Sequence, residues 1–320
     1  YFLVGGSTVG NLAMILTVCA PNEKIIVQRN CHKSIMNGLE LCGADPIFLS
    51  PDYDEEVNRY TFPTVNEIKK AIQLHSDAKA IVLTYPDYFG RTFELKRVVD
   101  YAHQYNIPVL IDEAHGVHFH LSDMFPSSAL ELGADIVVQS AHKTIPAMTM
   151  GSFLHIKSSL IEPAKVNNYL QMLQSSSPSY PIMASLDLSR HFLENLHEQD
   201  LIEINQSIKK FRKLISNSNE WTLVKHKNNI DDPLKITIKP TGSINGNNLA
   251  KLFEEQYIYP ELSNHNNVLF VHGLQPLNSW DYLNNSLDKI RQQLKTTDNH
   301  ATIEENKVPF NHSVTTLAYS

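Results

Sequence analysis

Two short apolar runs in this chain each end in a polar cluster, and together they restrict the fold more than any other feature. Ile107-Pro108-Val109-Leu110-Ile111 leads into Asp112-Glu113-Ala114-His115, and Asp135-Ile136-Val137-Val138-Gln139 leads into Ser140-Ala141-His142-Lys143-Thr144. Runs of this length suit parallel strands buried on both faces. In open α/β sheets the chemistry gathers at the C-terminal strand ends. A carboxylate and a lysine brought to one rim suit pyridoxal phosphate. The lysine would form the Schiff base and the aspartate would partner the pyridinium nitrogen.

Strand-like and helix-like segments alternate as far as residue 156. Strands are expected at Phe2-Leu3-Val4, Lys24 to Gln28, Pro46 to Leu49, Lys79 to Thr84, Ile107 to Ile111, Ile136 to Gln139 and Gly151 to Ile156. Helices are expected at Asn11 to Cys19, Ser34 to Leu41, Val65 to Leu74 and Glu94 to Tyr105, with a loose loop from Pro51 to Pro63. In the last of these helices Leu95, Val98, Val99 and Ala102 fall at helical spacing. The pattern predicts an α/β fold, a mostly parallel sheet with helices on both faces. Residues 1–160 form the expected large domain, and 161–220 read as connecting helices broken by Ser175-Ser176-Ser177-Pro178-Ser179. A smaller α+β C-terminal domain is expected over 221–295, then a polar tail over 296–320.

Composition narrows the function classes. With 320 residues, 42% hydrophobic and 19% charged, the chain has an ordinary globular make-up. Its net charge of −7 argues against a nucleic-acid partner and suits a small cationic ligand. The longest apolar run, Leu12 to Ala20, is too short to span a bilayer, so no membrane partner is expected. Cys19, Cys31 and Cys42 show no CxxC spacing and read as free thiols of a cytoplasmic protein.

Several residues carry the chemistry, each with a plainer alternative. Gly5-Gly6-Ser7-Thr8-Val9-Gly10-Asn11 joins the first strand to the first helix and suits an anion such as phosphate. The alternative is a Gly-rich turn with Ser7 or Thr8 as helix cap. No lysine follows Gly10, so a nucleotide P-loop is unsupported, and the helicase meaning of Asp-Glu-Ala-His falls with it. Asp112 is otherwise a helix N-cap. Lys143 is otherwise a solvated surface charge, but its apolar surroundings predict partial desolvation and a nucleophilic amine. His32 suits stacking on a cofactor ring or, alternatively, capping of the next helix. His115, His118 and His120 crowd one segment, but without HExxH or CxxC spacing no metal site is expected.

The set GGSTVGN, QRNCHKS, IPVLIDEAHGVHF, ADIVVQSAHKTIPAMT and LQSSSPSYPIMASLD resembles the Orn/Lys/Arg decarboxylase family, in its short Gram-positive form, from Tyr1 to Leu188. The resemblance implies a fold-type I pyridoxal-phosphate enzyme that decarboxylates lysine, arginine or ornithine. Lys143 would carry the cofactor, Asp112 would bond its pyridine nitrogen and His32 would stack on its ring. Ser7 and Thr8 would hold the phosphate, with Ser140 and His142 supporting phosphate and lysine. His115 would stand under the ring, and Ser176 would reach a neighbouring subunit's cofactor. A homodimer or higher homo-oligomer with shared active sites is implied, and either His142 or Lys143 would return the proton to Cα.

Two positions depart from that family's pattern. Met150 stands where glutamine is common, and Asp87 stands where threonine is expected, near the cofactor face. Two other readings use the same scaffold: an aminotransferase or aldolase, and a cofactor-binding or cofactor-free paralogue with a regulatory role. An aminotransferase calls for a carboxylate-binding arginine in the small domain. After Arg212 the sequence offers only Arg291, in a helical stretch.

Overall fold

The computed structural model describes residues 1–225 and 231–296. Contacts divide it into two compact units, Tyr1–Tyr53 with Tyr60–Asn195, and Asp54–Arg59 with the described residues from Leu196 to Thr296. All but the first residue of the expected 296–320 tail lies outside the described residues.

The first unit opens with β1 (Phe2–Leu3), α1 (Gly6–Val18), β2 (Lys24–Gln28), α2 (Lys33–Cys42) and β3 (Asp45–Leu49). A short hairpin, β4 (Tyr53–Asp54) and β5 (Arg59–Tyr60), occupies the stretch expected to be a loop. Next come α3 (Val65–Leu74), β6 (Ile81–Thr84), α4 (Leu95–Gln104), β7 (Val109–Asp112), β8 (Ile136–Ser140) and β9 (Ser152–Ile156). Helices α5 (Pro163–Leu173) and α6 (Tyr180–Glu194) follow.

The seven-stranded sheet runs β1-β9-β8-β7-β6-β2-β3, parallel from β8 through β3, with β9 antiparallel to both neighbours. Ile25, Val27, Leu110, Ile136 and Val138 are buried on the side covered by α1, α2 and α5, with Ala13, Met14 and Ile15 against them. Such burial requires the unbroken apolar runs that the sequence displays.

Helix boundaries follow local chemistry. Thr64 Oγ1 accepts from Glu67 N at 3.2 Å while the Glu67 carboxylate accepts from Thr64 N at 2.9 Å, a reciprocal pair that starts α3. Helix α1 begins at Gly6, five residues before the sequence expectation, so Ser7 and Thr8 lie in its first turn. Gly10 explains how close this helix comes to the sheet. A Cβ there would stand 2.8 Å from both Leu3 Cδ1 and Val138 Cγ1.

The second unit contains α7 (Glu198–Ser216), β10 (Trp221–Leu223), β11 (Lys235–Pro240), α8 (Gly246–Glu255), β12 (Leu262–Ser263), β13 (Val268–Val271) and α9 (Trp280–Thr296). Its sheet is antiparallel in the order β10-β11-β13-β12, and strands β10 and β12 were not expected from the sequence. Trp221, Phe253, Phe270, Ile236 and Ile290 fill its core. Arg291 packs beside that core: its Nη1 lies 2.9 Å from Asp288 Oδ1 and its guanidinium sits 5.6 Å from the centre of the Trp221 ring.

Candidate active site

Strand geometry brings the two chemical residues of the opening motifs to one rim. Asp112 ends β7 and Ser140 ends the adjacent parallel β8, so Lys143, three residues further, rises beside Asp112. Lys143 lies in a single 3-10 turn, Ala141–Lys143, that breaks the strand as it leaves the sheet. β9 then returns antiparallel, with Ser152 opposite Ser140, and closes the lysine segment at both ends.

Asp112 is buried and held at both oxygens. Oδ1 accepts from Ala114 N at 3.2 Å, and Oδ2 accepts from Asn11 Nδ2 at 3.0 Å. It caps no helix, which removes the plainer alternative for this residue. Burial raises its carboxyl above the ordinary range, while the Lys143 charge and the Asn11 hydrogen bond pull it back.

Lys143 departs from expectation. Its side chain is exposed in this chain rather than partly desolvated, and its Nζ lies 3.2 Å from His115 Nε2. His115 is buried and carries the Tyr88 ring edge-on, with centroids 4.6 Å apart. An ammonium can only donate, so His115 Nε2 accepts from the protonated lysine. His142 Nδ1 faces Gly151 O at 3.0 Å; a carbonyl only accepts, so Nδ1 carries a proton.

At the start of α1, Ser7 Oγ stands 2.7 Å from Ser140 Oγ, and Gly5 caps the helix without any side-chain hydrogen bond. The first-turn N–H groups of the helix are therefore not taken up by a side-chain cap. This corrects Ser7 and Thr8 as caps. Thr8 is exposed, and its hydroxyl makes no hydrogen bond among the described residues. Met150 adopts a positive φ of 77°, and its carbonyl accepts from Gly6 N at 2.9 Å, so this position holds the start of α1 through its backbone. Asp87 turns into its own loop, where Oδ1 accepts from Phe89 N and Arg91 N at 2.9 Å each.

His32 is exposed and caps α2, with Nδ1 accepting from Ser34 N at 3.2 Å. Ser176 is exposed in the turn between α5 and α6 and is not brought into the cluster by this chain. The three clustered histidines diverge: His115 faces Lys143, His118 is buried against Phe119 and Phe125, and His120 is exposed. Among the described residues no group of three His, Cys, Asp or Glu side chains is arranged to hold a metal. All three cysteines are free thiols, and burial pushes Cys31 up to about 12, far from a reactive thiolate.

Sequence reasoning missed two sets of residues. Asn11 and Ser34 link Asp112 to His32, through a 2.9 Å bond from Asn11 Nδ2 to Ser34 Oγ and a 2.8 Å contact from Ser34 Oγ to His32 Nδ1. An asparagine among apolar neighbours on a buried helix face was the available signal. Glu113 is fully buried, accepts from Ala129 N at 2.6 Å and from Gln139 Nε2, and is pushed up to about 8 by burial. Gln139 Oε1 meets His155 Nε2 at 3.0 Å, and burial lowers His155 to about 4.

Solved structures share this architecture. Lysine decarboxylase A from Pseudomonas aeruginosa superposes with a TM-score of 0.79 at 18% identity, over 92% of this chain and 49% of that one. Ureidoglycine-glyoxylate aminotransferase from Bacillus subtilis gives 0.71 at 11% identity, over 93% and 81%. The fold is that of the fold-type I pyridoxal-phosphate enzymes. Residues 1–242 match the family described as Orn/Lys/Arg decarboxylase, major domain, and the chain belongs to that family.

Among sequence relatives, the uncharacterized protein YaaO of Bacillus subtilis is 49% identical over 275 residues, covering 85% of this chain and 57% of the relative. An arginine decarboxylase of the same organism is 36% identical over 309 residues, covering 93% and 63%. One from Bacillus cereus is 37% identical over 279 residues, covering 84% and 60%. The chain thus spans about three fifths of the length of the curated relatives it matches. Among the described residues no helix is long and apolar enough to cross a membrane.

Proposed function

We propose that this chain binds pyridoxal phosphate and decarboxylates a basic amino acid, with arginine the first substrate to test. The observation that carries this is the juxtaposition of Asp112 and Lys143 at adjacent parallel strand ends, beside a helix start where two serine hydroxyls meet. Arginine is favoured because relatives at 36% and 37% identity bear the name arginine decarboxylase.

The donor set fits the cofactor. The α1 start without a side-chain cap, with Ser7 and Ser140, offers N–H and O–H donors for a phosphate. Thr8 adds a hydroxyl on the exposed side of that turn. The buried Asp112 carboxylate suits a pyridinium nitrogen, and the exposed Lys143 amine is accessible to an aldehyde. When bound, the cofactor supplies an electron sink for the pair left as carbon dioxide departs.

The chain's own residues do the rest. Asp112, fixed at both oxygens, favours a protonated ring nitrogen without having to reorganise. His32, at the N-cap of α2, would stack its imidazole on the ring, and His115 accepts from Lys143 and so orients its amine. His142 keeps one proton on Nδ1, which leaves Nε2 for exchange, so either it or Lys143 can return a proton to substrate carbon. Ser176, exposed on a turn, is available to a second subunit in a homo-oligomer. Arg291, stacked and paired inside the second unit, does not serve as the carboxylate clamp of an aminotransferase.

The test is cofactor uptake followed by turnover. Purified chain should bind pyridoxal phosphate with visible absorbance and release carbon dioxide from carboxyl-labelled arginine, lysine or ornithine. A chain that takes up no cofactor refutes the proposal. Amino transfer to a 2-oxo acid without carbon dioxide release would replace the reaction class.

A further inference from the structure

We propose that Asn11 and Ser34 are positioning residues whose hydrogen-bond chain fixes His32 as the neutral tautomer protonated on Nε2 while holding Asp112 as a pure acceptor. The chain runs Asp112 Oδ2, Asn11 Nδ2, Ser34 Oγ, His32 Nδ1, with successive separations of 3.0, 2.9 and 2.8 Å. It joins α1, α2 and β7, and its two middle members are buried.

The direction of every bond follows from what each group can give. An ionised carboxylate only accepts, so Asn11 turns its amide nitrogen to Asp112. The second hydrogen of the same nitrogen goes to Ser34 Oγ. Having accepted there, the Ser34 hydroxyl has its own proton to donate, and His32 Nδ1 lies 2.8 Å away. The backbone N–H of Ser34 reaches the same Nδ1 at 3.2 Å and can only donate. Two donors therefore converge on Nδ1, which must offer a lone pair, and the ring proton sits on Nε2. Asn11 Oδ1 is left buried without a partner among the described residues, so the amide is oriented by Asp112 and Ser34 at the expense of its own oxygen.

The consequence for catalysis rests on the pyridoxal-phosphate reading. Asp112 keeps a bound pyridine ring cationic, and an imidazolium stacked on that ring would repel it. A neutral His32 avoids the repulsion. The same asparagine that holds the ring's counter-charge thus sets the charge of the group stacked on the ring.

The decisive readout needs no cofactor. Histidine-¹⁵N-labelled chain, with His32 assigned by comparison with His32→Gln, should show an unprotonated Nδ1 and a protonated Nε2. Ser34→Ala removes the hydroxyl donor but keeps the backbone N–H, so it should shift the His32 nitrogens part of the way toward a tautomer mixture, and Ser34→Thr should restore the parent nitrogen shifts. In cofactor titrations Ser34→Ala should bind pyridoxal phosphate about three- to tenfold more weakly, and Ser34→Thr should recover the loss. A parent His32 protonated on Nδ1, or Ser34→Ala shifts identical to the parent's, overturns the proposal. Failure of the parent to bind pyridoxal phosphate would remove the proposed function, while the nitrogen shifts still decide the hydrogen-bond chain.

Discussion

Ser7 Oγ and Ser140 Oγ stand 2.7 Å apart although 133 residues separate them in sequence. The contact ties the first turn of α1 to the end of the strand that leads to Lys143. Each hydroxyl therefore orients the other, and a phosphate bound at α1 would feel both.

Removal of either hydroxyl should accordingly cost nearly as much as removal of both. Ser7→Ala and Ser140→Ala are each expected to weaken pyridoxal-phosphate binding about tenfold, with the double variant well short of a hundredfold. Equilibrium titration of the four proteins measures the coupling. Strict additivity would show that the two serines act independently.

Lys143→Ala tests the covalent role. Borohydride treatment after cofactor loading should leave a pyridoxyl group on the parent chain and none on the variant, as read by mass spectrometry of the Lys143 peptide. Turnover should fall on the order of a thousandfold. A labelled variant would move the amine to another lysine.

Glu113 makes stability depend on pH. Burial raises its carboxyl from 4.5 to about 8 in the folded chain. The stabilising contribution of the neutral form is therefore complete below pH 4.5 and is lost as pH rises toward 8. The loss amounts to at most ~5 kcal/mol. Denaturant melts at a series of pH values should show that decline in the parent and a flatter profile in Glu113→Gln. Gln139 can turn its amide over to serve the new side chain. An unchanged slope in the variant would assign the pH dependence to another group.

Gly10→Ala probes the helix–sheet contact. The added methyl meets Leu3 and Val138 at 2.8 Å. Forcing the helix outward is expected to destabilise the chain by ~1–3 kcal/mol and to weaken cofactor binding. Gly273→Ala, with nothing within 4 Å of its added carbon, is the control and should shift stability by about 0.5 kcal/mol or less. Equal effects at the two sites would contradict the close-approach account.

Much of the sheet was legible because buried parallel strands need unbroken apolar runs. Lys24–Gln28 was expected with its observed ends, and so was α3, whose Thr64–Glu67 pair advertises its start. The start of α1 was misread because Gly5-Gly6-Ser7-Thr8 carries turn chemistry. Packing on β8 and the Met150 carbonyl hold Gly6 onward in the helix instead. The β4–β5 hairpin and β12 contain two residues per strand, too few to show a period. The exposure of Lys143 was hidden because local apolar neighbours do not reveal which way a strand-end turn points its side chain. Asn11, Ser34 and the Glu113–Gln139–His155 chain escaped for another reason: their partners are 16 to 101 residues away or appear ordinary in sequence.

The reversal of β9 has a consequence for how this rim can change over time. Lys143 sits on a segment whose two feet, Ser140 and Ser152, are paired across the sheet. Replacement or lengthening of the residues between Thr144 and Met150 would alter the apron around the amine without moving its root. A descendant chain could in this way present a new surface around the Lys143 amine while inheriting that amine in place.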